Sequence, residues 1–419
     1  MGIAKEIGYY NTFILKPQAS TTRRWHIEES RIKGGFNNQS MELATRAFAT
    51  DENYSETRRK NAMIYSGIYN SKTGVNQLNQ FGIGKSNTKA VDEAQGSIQK
   101  LHAEDTNLLI FQEDKVSRAL IDKDAIFTAE GSPIKALSKI VIGQVIPFLG
   151  RYGISKNPES FAIKGGMKYF ADKKRGVVLR LTRDGHTEIS YYGMRSWFKT
   201  NLKTADKIVG MYDNVKDQYV LSVQYPDYEY TLGYDESSKG WTSFYTYRPD
   251  AGFTLANVFY TFKSANIWKH YATTNYNKFY GSNNSSKVQL IINNTPSVVK
   301  VFKTLSYEGT DGWNANNIYT DHDSTGYTDS GFNIAPYSKT YASTGIYDLP
   351  GVNSFSKKEN KFSTYLKNSS AIGENEIIFG EQVSGIKGMY TSLILESSTT
   401  DTSKKELFAV SSETVLSSN

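Results

Sequence analysis

The sequence predicts a mainly β protein. Many short antiparallel strands form a β-propeller-like stack, with a β-sandwich as the alternative, together with long loops and one or two short helices. Three observations predict this. Between Gln218 and Tyr271, four runs (219–224, 228–235, 240–247 and 258–263) alternate Val, Tyr, Thr, Phe, Trp and Leu with polar residues, and turn residues such as Pro226, Asp227, Pro249 and Gly252 stand between them. Period-two alternation bounded by turn residues is the pattern of antiparallel strands. Further short runs recur at regular spacing from Ala103 to Ser190, as in a sandwich, barrel or propeller. Finally, aromatics reach 13% against 38% hydrophobic residues in all, carried by 29 Tyr and 21 Phe. Tyr suits β surfaces and wet interfaces, where the ring packs and the hydroxyl finds a partner.

The elements fall into four regions. Residues 1–102 read as an extended arm and loops with few strands, the clearest being Trp25–Ile27 and Met63–Tyr65. Residues 103–307 read as a β-rich, propeller-like core. Its expected strands begin with Asn107–Phe111, Lys115–Ile121, Ala125–Phe127 and Ile140–Ile146. Ser160–Ile163, Met167–Phe170, Val177–Thr182 and Thr187–Ser190 follow, with Arg183-Asp184-Gly185 as a tight turn whose Gly tolerates positive φ. Gly193–Lys203 breaks the pattern: Met194, Trp197, Phe198 and Leu202 share one helical face, which predicts a short amphipathic helix capping the sheet edge. In the run Gly240–Tyr247, strict alternation puts Trp241, Ser243, Tyr245 and Tyr247 on one face and Thr242, Phe244 and Thr246 on the other. The four runs from 219 to 263 are expected to form one meander, followed by a short strand at Asn266–His270. Lys287–Asn293 and Val299–Tyr307 are two more strands. Residues 308–370, rich in Gly, Asn, Ser, Asp and Tyr, read as a loop-rich insertion. Residues 371–419 return to β at Glu376–Phe379, Met389–Leu395 and Glu406–Ser411, and are expected to pair back toward the N-terminal region.

Composition excludes several classes of chemistry. The chain has no Cys, which removes disulfides, Cys-zinc sites and thiol catalysis and leaves the redox compartment unspecified. It has no apolar run of the roughly 18 residues that a membrane helix needs, and no apolar signal core follows Met1. Net charge is +7 over 419 residues, a modest bias toward polyanions. The densest basic runs are Arg58-Arg59-Lys60 and Lys173-Lys174-Arg175, which read as solvated loops or, in the sharper reading, as DNA-channel contacts.

Gly82-Ile83-Gly84-Lys85-Ser86 ends like a phosphate-binding loop, but Asn79 stands where the fingerprint needs its first Gly. Asp321-His322-Asp323 opens like a calcium loop, yet Thr325 occupies the third ligand position and Phe332 stands where a bidentate Glu is required. His26, His102, His186, His270 and His322 are scattered, without a metal or catalytic spacing. The sequence assigns no catalytic residue, cofactor or metal.

Several long runs resemble one family. Asn107–Phe127, Tyr152–Ile163, Arg180–Ser190, Lys239–Asp250 and Phe259–Tyr271 are similar to virion proteins of tailed phages, those called stabilisation, nozzle or muzzle proteins in crAss-like and related podoviruses. The similarity runs from about Trp25 to Glu413. The resemblance implies a β-rich, propeller-bearing, non-enzymatic subunit of the virion tail, made in the host cytoplasm. It implies a homo-oligomeric ring that meets other portal and tail ring proteins, seals packaged DNA and opens for ejection. A hexamer is expected from tail symmetry rather than from the residues. Lys173, Lys174, Arg175, Arg58, Arg59 and Lys60 are the expected DNA-channel contacts, and Trp241, Tyr245 and Trp268 the expected interface aromatics. The competing class is a host-receptor or glycan-binding or glycan-processing tail protein that uses the Tyr-rich 308–370 stretch. A third is a capsid or baseplate accessory protein with the same fold.

Overall fold

In the computed structural model, the described residues are 59–66, 87–104, 107–127, 133–321, 354–366 and 385–417, with short stretches at 15–17, 25–27, within 69–78, and at 332–334. The chain divides into two compact units, Met1–Ala265 and Asn266–Asn419. Both are built from antiparallel strands, and the expected small strands at Trp25–Ile27 and, one residue earlier than expected, Ala62–Ile64 are present.

Three consecutive four-stranded sheets make up most of the first unit. The first comprises Ile98–Glu104, Asn107–Gln112, Val116–Phe127 and Pro133–Pro147. Ala162–Lys164, Met167–Asp172, Val177–Thr182 and Gly185–Glu188 form the second. The third is Lys207–Asp213, Gln218–Gln224, Glu229–Asp235 and Gly240–Tyr245. In each sheet the strands lie side by side in chain order. Successive four-stranded meanders of this kind are how propeller blades follow one another. A hairpin, Ala251–Leu255 with Val258–Lys263, comes next. Its two turn residues, Ala256 and Asn257, both have positive φ (48° and 59°), the geometry that matches strand twist in a two-residue hairpin.

The strands are apolar on the sides where the sheets meet. Leu109, Phe111 and Val116 of the first sheet pack with Phe170, Leu179 and Leu181 of the second. Between the second and third sheets the filler is tyrosine: the Tyr169 ring stacks on Tyr219 at 4.9 Å and on Tyr212 at 5.6 Å. Tyr219 donates its hydroxyl to the Ser160 carbonyl at 2.7 Å, so a fully buried phenol is satisfied. Five tyrosines, Tyr169, Tyr212, Tyr219, Tyr225 and Tyr234, therefore serve the chain's own core, a use the sequence did not suggest. Close approach at this seam depends on Gly210, since a Cβ there would lie 1.9 Å from the Ser160 carbonyl oxygen.

Helix α1 (Arg195–Thr204) lies in the connection from the second sheet to the third. Phe198 and Leu202 are fully buried, and Met194 and Trp197 pack at the margin of the same cluster, as the helical spacing predicts. Each buried side chain contributes roughly 2 kcal/mol of apolar transfer, enough to hold a ten-residue helix too short to be stable alone.

Several expected pairings differ. The third sheet begins with Lys207–Asp213, which the sequence did not flag, and Val258–Lys263 pairs with Ala251–Leu255 instead of closing that sheet. Residues 208–213 are buried throughout, and before Asp213 no charged residue marks an alternation. Lys115–Ile121 and Ala125–Phe127 are one strand, and Ile98–Glu104, expected as part of the arm, is the first strand of its sheet. A register shift between Gly233/Tyr234 places Thr242 as an extra residue opposite them. This bulge reverses the alternation, so Trp241 and Phe244, expected on opposite faces, both pack against α1.

Besides a two-stranded hairpin, Lys278–Phe279 with Ser282–Asn283, the second unit has three described sheets around one core. Lys287–Ile292, Thr391–Ser397, Trp313–Thr320 and Phe332–Ile334 form one; Ile386–Gly388, Lys300–Phe302 and Thr414–Leu416 another; Ser356–Lys358, Lys361–Tyr365, Thr304–Gly309 and Leu407–Ser411 the third. Leu305, Tyr307 and Phe362 face Trp313, Ala315, Leu393 and Leu395 across a sandwich-like interior. Tyr307 stacks on Phe362 at 4.7 Å. Four strands thus lie within 308–370, the stretch expected as loop-rich, because single aromatics such as Trp313, Phe355 and Phe362 carry the core with little visible periodicity. The C-terminal strands pair with 287–320 rather than with the N-terminal region. Glu376–Phe379 lies outside the described residues.

Gly210→Ala is expected to destabilise the chain by about 3 kcal/mol, the cost of forcing a methyl group onto a backbone carbonyl. Gly166→Ala, where a Cβ meets nothing within 4 Å, is expected to be neutral in the same urea-unfolding measurement.

Candidate functional site

The basic run at 173–175 occupies the turn between the second and third strands of the second sheet. Just before it, Asp172 is fully buried. Its Oδ1 accepts from Ser155 Oγ at 2.9 Å and from the Arg175 N–H at 3.2 Å, and its Oδ2 from the Gly153 N–H at 3.2 Å and Arg175 Nη1 at 2.8 Å. Arg175 Nη1 also reaches Asp114 Oδ1 at 3.2 Å, and Lys174 Nζ donates to Asp114 Oδ2 at 2.7 Å. Asp114 lies in the turn between the second and third strands of the first sheet.

Two of the three cations in this run, Lys174 and Arg175, thus form a charge clamp between neighbouring sheets. Burial works to raise the Asp114 carboxyl, but Lys174 and Arg175 together outweigh it and hold it below the usual carboxylate value. The hydrogen bond from Ser97 holds Glu113 down in the same way. Burial opposes the Arg175 charge, yet its pairing with Asp172 and Asp114 raises its pKa further. Lys173 has no ion pair among the described residues and is the free cation of the run.

Other polar groups knit the same seams. Lys168, 3% exposed, pairs with Glu104 beside a cleft of about 670 Å³ that His102 also lines. Burial and the Lys168 charge lower the His102 pKa. His186 packs against Phe148, Tyr152 and Phe170, and burial keeps its imidazole below the usual value, in the neutral form. Tyr169 donates to Glu236 at 2.7 Å, and Arg180 pairs with the other oxygen of that carboxylate.

The expected interface aromatics separate. Trp241 is half-buried, tilted against Phe198 at 4.6 Å, and donates its indole N–H to the Ile189 carbonyl at 3.0 Å. Tyr245 donates to Gln218 at 2.7 Å and lies under Lys216 Nζ, 5.0 Å from the ring centroid. Trp268 belongs to the second unit, where it tilts against Tyr280 at 5.3 Å. Arg59 and Lys60 are exposed; Arg58 and Gly82–Ser86 lie outside the described residues. Asp321 Oδ1 accepts from the N–H groups of Met389 and Tyr390, while 322–331 lies outside the described residues. Among the described residues no cluster of three metal-ligating side chains occurs.

A different aromatic group is left open to solvent. Trp197 on α1 meets Tyr230 edge-on at 5.4 Å and Phe244 at 5.9 Å. Tyr230 meets Tyr228 at 5.5 Å. Phe244 is 57% exposed, Tyr228 46% and Tyr230 36%. Contiguous exposed aromatics mark interaction surfaces more often than scattered ones do. Sequence reading missed this platform because its members come from a helix, a turn and two strands, and because the bulge at Thr242 turns Phe244 toward them.

Residues 82–265 match the family model described as the Crassvirus muzzle protein, and residues 274–369 match the one described as the Crassvirus muzzle protein C-terminal domain. The first match ends at the boundary between the two compact units. No curated protein matches the chain.

Arg175→Ala is expected to cost about 2 kcal/mol, because it strips a charged partner from a buried carboxylate. Lys174→Ala, at a half-exposed ammonium, is expected to cost under about 1 kcal/mol. Chemical unfolding of both variants checks the contrast. Glu113 and Asp114 lie below their ordinary values of 4.5 and 3.8 in the folded chain. Their stabilisation is therefore complete above those values and is lost as pH falls through the depressed ones. The melting temperature is expected to drop below about pH 4, and Asp114→Asn to flatten part of that drop.

Proposed function

The chain belongs to the crassvirus muzzle protein family, a family of structural virion proteins, and from that premise we propose that it is a subunit of the tail muzzle ring. The ring surrounds the DNA channel at the tail, seals it while the genome is packaged and permits ejection. Copies of the chain bury one another around the tail axis, with six copies as the expected number, and the ring meets the other portal and tail ring proteins. The protein works through subunit contacts and channel shape rather than by catalysis.

The observation that carries this reading is the platform of Trp197, Tyr228, Tyr230 and Phe244. An aromatic surface held on a helix and a sheet edge gives a neighbour apolar area at low entropic cost, since these side chains are already positioned by one another. The second support is stiffness. The charge clamp and the Tyr169 stack join three sheets, as a ring under pressure from packaged DNA requires. For the transit of DNA, Lys173 is the cation of its run left available, because Lys174 and Arg175 are held by acids. Even so, a duplex that slides needs few attractive contacts.

The purified chain is expected to assemble into a closed oligomer by native mass measurement. The pair Tyr230→Glu and Phe244→Glu is expected to leave monomers with the wild-type melting temperature. Wild-type chain that stays monomeric at high concentration, or a variant that assembles normally, counts against the platform as the ring contact.

A further inference from the structure

The third sheet of the second unit carries a furrow of about 520 Å³ on the face turned away from the core. Its origin is a row of serines. Ser356 pairs with Ser363, Ser363 with Ser306, and Ser306 with Ser411, so four adjacent strands each place a serine at the same level. Neighbouring strands lie about 4.8 Å apart, so the row spans about 14 Å. A sheet face is ordinarily filled by β-branched, aromatic or long charged side chains. Here the smallest hydroxyl side chain recurs four times, and the sheet is hollowed along that line.

The furrow is polar, and part of its hydrogen-bonding capacity is unused. Ser306 Oγ and Ser411 Oγ lie 2.8 Å apart, and Ser356 Oγ donates to the Ser363 carbonyl at 2.9 Å. Ser412, which also lines the furrow, has a buried Oγ with no hydrogen-bond partner among the described residues. At one end of the furrow stands Tyr365, 70% exposed, directly opposite Thr304 in the neighbouring strand. Its ring is an uncovered apolar plate beside a bed of hydroxyls.

We propose that this furrow is a binding site for a neutral oligosaccharide. A sugar ring has the two properties the surface answers. Its equatorial hydroxyls donate to and accept from serine hydroxyls, which do both. Its C–H face lies flat on an aromatic ring. Lys361 and Glu413, both exposed at the margin, carry opposite charges, so the furrow has no single-sign field that would select an anion. The inference does not rest on the ring reading, because the site lies within one chain and binding is measured on that chain alone.

The test is titration of the full chain with neutral hexasaccharides (maltohexaose, cellohexaose, chitohexaose and mannohexaose), followed by calorimetry. At least one is expected to bind. Tyr365→Ala is expected to weaken it about tenfold, as loss of one aromatic contact does. Ser363→Lys, which fills the middle of the row, is expected to abolish it. Ile291→Ala, at an exposed position on another sheet, is expected to change nothing. Melting temperatures matching the wild type show that the variants fold. Absence of binding by all four sugars up to millimolar concentrations overturns the proposal, as does binding that Tyr365→Ala and Ser363→Lys leave intact.

Discussion

Asp172 is a carboxylate with no solvent exposure, and the first unit is organised around keeping it satisfied. An isolated buried charge costs several kcal/mol, so each of its donors is a constraint on the chain. Ser155 and the Gly153 N–H bring in the segment after the first sheet, while Arg175 belongs to the turn of the second. Gly153 is needed there for a second reason, since a Cβ would lie 2.2 Å from the Glu113 carbonyl oxygen. Arg175 and Lys174 then reach Asp114 in the first sheet, and the relation between the two sheets is set by charge as well as by Phe111 and Phe170. At the next seam the device changes. Tyr169, Tyr212 and Tyr219 stack between the second and third sheets, and burial pushes all three phenols well above their ordinary values, so they stay neutral.

That difference explains what could be read from the residues. Local patterns survived folding: the face of Met194, Phe198 and Leu202 became α1, and the turn before Gly185 is where the alternation placed it. Patterns that need two faces to differ did not survive. Residues 208–213 are buried on both sides and show no alternation, and one extra residue at Thr242 reversed the assignment of Phe244. The basic run was visible as charge, but its acid partner Asp114 arrives from 60 residues away, and no local reading finds it. The serine row is harder still, because its four members come from four strands spread between 306 and 411. The family resemblance, carried by long runs, matched the muzzle family models over both units.

The molecule divides its side chains by task. Charges are spent inward, on Asp172, Asp114, Glu104 and Glu236, and buried tyrosines serve as packing. Among the side chains that face outward on the first unit, Trp197, Tyr228, Tyr230 and Phe244 form a contiguous aromatic group, held against one another. In the proposed ring this preformed surface meets the neighbouring copy, and association loses little conformational freedom.

The most direct measurement is an electron cryo-microscopy reconstruction of the phage tail at side-chain resolution. The account predicts copies of this chain closed into a ring on the tail axis, with Trp197, Tyr230 and Phe244 of each copy covered by its neighbour. A chain found elsewhere in the particle, or a ring in which that aromatic platform faces solvent in every copy, would contradict it.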